Sequence, residues 1–192
     1  MYEGDGDPNK YQISTDIPGF TPNKFGLLSG AMFTIFFSIT VLFAGVLADN
    51  MSRRLLMSTA AILWSLTSIT TAISQTFFGV AASRMALGFF EAFIGPSAYS
   101  LIADYFPPEI RTTAIGIYAF GIYIGVAFSS LNIIMITLLG WRLTYAITGI
   151  VGVAIGILCF MFIQDPIRGR YEPRVVKVAE PEAETEPLTT EE

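Results

Sequence analysis

Gly26-Leu-Leu-Ser-Gly-Ala-Met-Phe-Thr-Ile-Phe-Phe-Ser-Ile-Thr-Val-Leu-Phe-Ala-Gly-Val-Leu-Ala48 holds no charged side chain on any face. A helix in contact with water keeps a polar face opposite its apolar stripe, and this run has none. At about 1.5 Å of rise per residue, roughly 20 residues cross the ~30 Å hydrocarbon layer of a bilayer, so the run is long enough to span it. Four further apolar runs follow at 55–78, 79–103, 112–139 and 143–163. Hydrophobic residues make up 53% of the chain and charged residues 14%, against about a quarter charged in a soluble domain. Of all the Asp, Glu, Lys and Arg residues, only Arg84 and Glu91 fall inside the five runs. Lipid is the expected solvent of residues 26–163, and the expected fold is an all-α membrane protein of five transmembrane helices.

The same composition removes several function classes. The one cysteine, Cys159, lies in the last apolar run, so no intramolecular disulfide can form. Histidine is absent, which takes away the commonest general base and leaves no Cys/His cluster for a metal. An intramembrane enzyme needs a nucleophile and a base at matched depth, and Glu91 alone sits near a midplane, so neither catalysis nor a cofactor is expected. The net charge of -5 is set largely by a tail in which eight of the sixteen acids lie from Asp165 onward. It describes solvation of that tail and offers no basic patch to nucleic acid.

Residues 1–25, rich in Gly, Asp, Pro, Asn and Thr, form a polar segment without the apolar core of a signal peptide. Links at Ala48–Arg54, Ser74–Thr76, Tyr105–Arg111 and Leu139–Arg142 are short, which implies antiparallel neighbours in one bundle. Arg53, Arg54, Arg111, Arg168, Arg170, Arg174 and Lys177 lie on one side of that bundle, and Lys10, Lys24 and Arg142 on the other. Positive loops stay in the cytoplasm, so the C-terminus is expected inside and residues 1–25 on the exoplasmic side. An outside N-terminus without a signal calls for a further helix ahead of the first. Residues 164–192 are expected to form a cytoplasmic tail, and its stretch from Val178, rich in Glu, Pro and Thr, cannot offset chain entropy by burial and is expected to be disordered.

Between the first two runs stands Gly45-Val-Leu-Ala-Asp49-Asn-Met-Ser-Arg53-Arg54. Gly45 permits close helix approach, Asp49 at a helix end can make charged hydrogen bonds, and Arg53 and Arg54 anchor the loop inside. Plain anchoring explains the arginines but not the glycine and aspartate at that spacing. The segment resembles the signature loop of the major facilitator superfamily, which runs Gly, x, Leu, Ala, Asp, Arg, x, Gly, Arg, then Arg or Lys, between that family's second and third helices. Asn50 and Ser52 stand where the family has arginine and glycine. The resemblance implies a gating role for Gly45, Asp49, Arg53 and Arg54.

Arg84 and Glu91 are separated by two helical turns, about 10 Å of rise, and share a face. Charge at membrane depth costs about 2.5–3.5 kcal/mol and is usually turned toward a bundle interior or aqueous cavity. Four residues on, Gly95-Pro96 lacks a backbone donor and should bend the helix and free a carbonyl near Ala92. Arg84 and Glu91 are the candidate substrate and coupling-ion site, with a proton as the coupling ion, and Gly95 and Pro96 are the helix kink beside it. Small residues recur as Gly116, Gly121, Gly125 and Ser129 in the fourth run and Gly149, Gly152 and Gly156 in the fifth, spacings that serve helix packing.

Arg84-Met-Ala-Leu-Gly88-Phe-Phe-Glu91-Ala92, Ser97–Arg111, Gly140-Trp141-Arg142 and Asp165-Pro166-Ile-Arg168-Gly169 together are similar to the spinster-like branch of the same superfamily. The resemblance implies that the five helices are the family's helices two to six, most of one six-helix half. It further implies transport of an organic solute, a lipid or an organic anion, by alternating access, with a first helix and a second half supplied elsewhere. The competing reading is a half-length membrane protein that does not transport, such as an assembly partner or an incomplete gene product.

Overall fold

In a computed structural model of the 192-residue chain, the structure describes residues 13–17 and 21–171. The disorder expected from Val178 onward, and residues 1–12 of the polar N-terminal segment, lie outside the described residues. Two short helices, α1 (Ile13–Asp16) and α2 (Pro22–Gly26), precede a π-helical turn at Leu27–Met32 that runs on into α3 (Phe33–Asn50). The bundle continues as α4 (Arg53–Ile73), α5 (Phe77–Glu91), α6 (Ile94–Tyr105), α7 (Pro108–Ser129), α8 (Leu131–Leu139) and α9 (Trp141–Phe162). Among the described residues, five helical stretches are long and apolar enough to cross a membrane: Gly30–Asn50, Arg53–Ile73, Phe77–Tyr105, Pro108–Leu139 and Trp141–Phe162.

The helix ends follow local chemistry rather than the edges of the apolar runs. Ser52 caps α4 by accepting from the Leu55 amide at 3.3 Å, so Arg53 and Arg54 are the first helical residues although their charge places them outside the run at 55–78. Thr76 caps α5 by accepting from the Gly79 amide at 3.2 Å. Phe77 and Phe78 therefore open the third span rather than close the second. Pro108, at the first position of α7, stands in the first helical turn, where an amide has no partner within the helix and its loss costs little. The link between α8 and α9 is Gly140 at φ 84°, the left-handed region that favours glycine, which lets the chain reverse in one residue.

Packing centres on α4, which lies against α9 along much of its length and against α5 and α6 on another side, while α3 packs on α5 and α6. Small residues make the α4–α9 approach possible. A Cβ placed on Gly149 would come within 2.9 Å of the Ser65 carbonyl oxygen, and one on Gly156 within 3.1 Å of the Ile62 amide nitrogen. The glycines of the fourth span behave differently: Gly116, Gly121 and Gly125 have nothing within 4 Å. No residue of α7 or α8 is buried. Of the buried hydroxyls of α4, that of Ser58 has no hydrogen-bond partner among the described residues, while Thr71 and Ser65 return theirs to their own helix, at the Thr67 carbonyl (2.9 Å) and the Ala61 carbonyl (2.7 Å). That arrangement removes the cost of burying those two in an apolar bundle.

Candidate functional site

The third span is broken where its charge lies. α5 ends on Glu91, Ala92 and Phe93 form a turn, and α6 begins at Ile94. Pro96 stands four residues after Ala92 and has no amide to return to that carbonyl. Two half-helices thus meet beside the carboxylate of Glu91, with Phe89 packed edge-on to Phe90 and Phe93 at ring distances of 5.3 and 5.4 Å. Glu91, Gly95 and Pro96 are half-buried, and Glu91 belongs to neither of the two ion pairs described, Arg53–Asp104 and Arg142–Asp16.

Arg84 reaches across to α9 instead of along α5 toward Glu91. Its Nη2 donates to the hydroxyl of Tyr145, and its guanidinium carbon lies 5.0 Å from the centre of that ring. Tyr145 is in turn edge-on to Trp141 at 6.3 Å. Trp141, 3% exposed, joins Ile17, Val80 and Ala81 in a buried cluster, and its indole donates to Asp16 Oδ2 at 2.8 Å. Arg142 closes this end of the bundle: it pairs with Asp16 at 3.4 Å and donates to the carbonyls of Ala72, in the last turn of α4, at 2.9 Å and of Ser74, its cap, at 2.7 Å. Sequence reasoning found Arg84 but not Tyr145, because a tyrosine inside an apolar run carries no signal that separates a partner from packing.

At the opposite end, where α3 meets α4, the signature segment is tied to two other parts of the chain. Arg53 forms an ion pair with Asp104 of α6, and their side chains are 12% and 6% exposed. Asp104 also accepts from the amide of Gly169 at 3.0 Å. Arg54 donates to the Phe160 carbonyl from Nε at 2.9 Å and lies 4.7 Å over the Phe160 ring, while its amide and the Ser52 hydroxyl both donate to Asp165. Arg168 donates to the Met51 carbonyl, and Tyr105 shares hydrogen bonds with Gln164. Residues 164–171, expected as the start of a free tail, fold back on the loop. Asp49 sits in the last turn of α3, exposed, at the end of a helix dipole that disfavours a carboxylate. Gly45 has nothing within 4 Å of a built Cβ. Arg53 and Arg54 carry the loop's contacts, together with Ser52, Asp104, Asp165 and Arg168.

The profile of the Major Facilitator Superfamily matches residues 12–190. The chain belongs to the major facilitator superfamily. Curated relatives include the hexuronate transporter of Bacillus subtilis, 26% identical over 86% of this chain and 40% of that protein. The D-galactonate transporter of Escherichia coli is 25% identical over 77% of this chain and 34% of that protein. Protein spinster of Drosophila melanogaster is 28% identical over 85% of this chain and 26% of that protein. Among solved structures, an inward-facing, unoccupied bacterial homologue of the human lysosomal transporter Spinster is 27% identical, with a TM-score of 0.67 over 79% of this chain and 37% of that one. The likeness places the chain with the spinster-like branch of the superfamily. The chain spans about two fifths or less of the length of these relatives. It is an integral, multi-pass membrane protein of a non-enzymatic family.

Proposed function

We propose that this chain forms most of one half of a carrier that moves an organic anion across the membrane by alternating access, with Arg84 binding the anionic group and Glu91 exchanging a proton. One observation carries the reading. Arg84 lies in a span, its described polar partner is the neutral phenol of Tyr145, and no carboxylate pairs with it among the described residues. A permanent cation held at membrane depth without a counter-charge is a site for a ligand's charge. Its planar fork fits a carboxylate or phosphate through two oxygens at once. The names of the relatives, which include hexuronate, D-galactonate and galacturonate transporters, favour a carboxylated sugar over a lipid phosphate.

The break at Ala92–Phe93 supports the same reading, since discontinuous helices commonly border transport sites near the midplane. The end bearing Arg53, Arg54, Arg111 and Arg168 is assigned to the cytoplasm, together with the C-terminus. Five spans enclose no central pathway, so a second half completes it, in the same polypeptide or another chain. The test is uptake by proteoliposomes of the complete protein between pH 5 and 8, with labelled D-galacturonate as substrate and a lysophospholipid as competitor. Arg84→Lys keeps the charge but loses the fork, and should raise KM about tenfold, the equivalent of 1.4 kcal/mol. Glu91→Gln should flatten the pH profile. Identical rates and profiles in all three proteins would make both charges structural; competition by the lysophospholipid alone would move the reading to a lipid.

A further inference from the structure

We infer that Tyr145 is a positioning residue for Arg84, fixing the guanidinium so that its unused edge faces a substrate carboxylate. The inference rests on the anion-binding reading of Arg84. A guanidinium has five N–H donors in one plane. The Tyr145 hydroxyl takes one donor on Nη2, and the guanidinium carbon lies 5.0 Å from the centre of the same ring. Nη2 carries two N–H groups, one on the edge it shares with Nε and one on the edge it shares with Nη1; the hydroxyl occupies one of them, and the other edge keeps a parallel pair of donors for a carboxylate.

The tyrosine can direct the arginine because it is itself held. Trp141 packs edge-on against its ring at an interplanar angle of 77°, and Trp141 is buried and tied by its indole to Asp16. Tyr145 also lies against the buried cluster of Ile17, Val80, Ala81 and Trp141. Val80 and Ala81 stand one turn before Arg84 on α5, so the surface that holds the ring is continuous with the helix that carries the guanidinium. A free arginine side chain loses rotamer freedom when a ligand binds it, and one already fixed has that loss behind it. The chain Asp16, Trp141, Tyr145, Arg84 thus joins the short α1 segment at one end of the bundle to the candidate anion site.

Tyr145→Phe removes the hydroxyl and keeps the ring, which makes it the deciding variant. In the complete protein, the rate at which phenylglyoxal modifies Arg84 is followed by peptide mass mapping, with Arg142 as internal reference. Arg84 should react at least about threefold faster in Tyr145→Phe while Arg142 keeps its rate, because a donor released from a hydrogen bond is freer to react. In uptake assays the KM for D-galacturonate should rise about tenfold with kcat nearly unchanged, and Arg84→Lys should add little in the Tyr145→Phe background. Equal modification rates in wild type and Tyr145→Phe would overturn the inference. So would a KM that moves in Arg84→Lys but not in Tyr145→Phe, an outcome that leaves the anion reading of Arg84 standing. A KM unmoved by either variant would sink both. If wild type takes up no D-galacturonate, the sugar-acid reading fails and the modification rates alone decide the role of Tyr145.

Discussion

Asp104→Asn tests how firmly the signature loop is locked to α6. The substitution keeps the shape of the side chain and an acceptor for the Gly169 amide, now 3.0 Å from Oδ1, but it removes the carboxylate charge that pairs with Arg53. Both partners are largely out of solvent, at 12% and 6% exposure, and the hydrogen bond that Arg53 donates to the Ser100 carbonyl is long, at 3.3 Å. Breaking one side of a buried ion pair costs about 3–5 kcal/mol, and the retained acceptor puts this case near about 3. For a chain of this size each kcal/mol moves the midpoint by about 2–4 °C, so the melting temperature should fall by about 6–12 °C. Cys159, the one cysteine, is half-buried in α9 and reports unfolding through a dye that fluoresces on reaction with a thiol. Arg53→Gln should cost a similar amount, and the double variant should be less destabilised than the sum of the two by about 1–3 kcal/mol. A melting temperature within about 1 °C of wild type, or strictly additive losses, would refute a stabilising pair and reduce Arg53 to topogenic anchoring.

Two further outcomes check the packing and the topology. Gly149→Ala should lower the same melting temperature by several degrees, because its Cβ would meet the Ser65 carbonyl oxygen at 2.9 Å and main chain cannot move aside cheaply. Gly116→Ala, with nothing within 4 Å, should be neutral or slightly stabilising through better helix propensity, and equal losses at the two positions would contradict the α4–α9 approach. In a Cys159→Ser background, Ser52→Cys should be shielded from an impermeant thiol reagent in intact cells while Gln75→Cys reacts; labelling of position 52 from outside would invert the assigned orientation.

The five spans were legible because lipid leaves no choice: a helix crossing it must be apolar on every face for about 20 residues. Their ends were less so. A rule that stops a run at the first charge excludes Arg53 and Arg54, yet Ser52 starts α4 just before them. A rule that continues while residues stay apolar carries Phe77 and Phe78 into the wrong helix, because the cap at Thr76 is a single hydroxyl in a weakly polar link. Arg84 and Glu91 stood out as charges on an apolar background. Tyr145, Asp104 and Asp165 did not, since each acts through a residue far away in sequence that only the packing of α4 between its neighbours brings near.

The glycines show the same limit from another side. Small residues at close spacing occur in both 112–139 and 143–163, and spacing alone predicts close approach in each. α9 meets α4 through its glycines, whereas α7 and α8 present no buried residue at all. What separates them is the neighbour available: α4 offers Ile62, Ser65 and Ile69 to α9, and nothing described lies within reach of Gly116, Gly121 or Gly125. The consequence for the candidate site is specific. Arg84 and Tyr145 sit on α5 and α9, both packed against α4, so their geometry is set by the part of the bundle whose faces are already filled. Glu91, at the break between α5 and α6, has a half-buried carboxylate outside both described ion pairs. Of the two charges, the arginine is therefore held and the glutamate is open, which is the division expected if one fixes a substrate anion and the other takes up and releases a proton as its surroundings change.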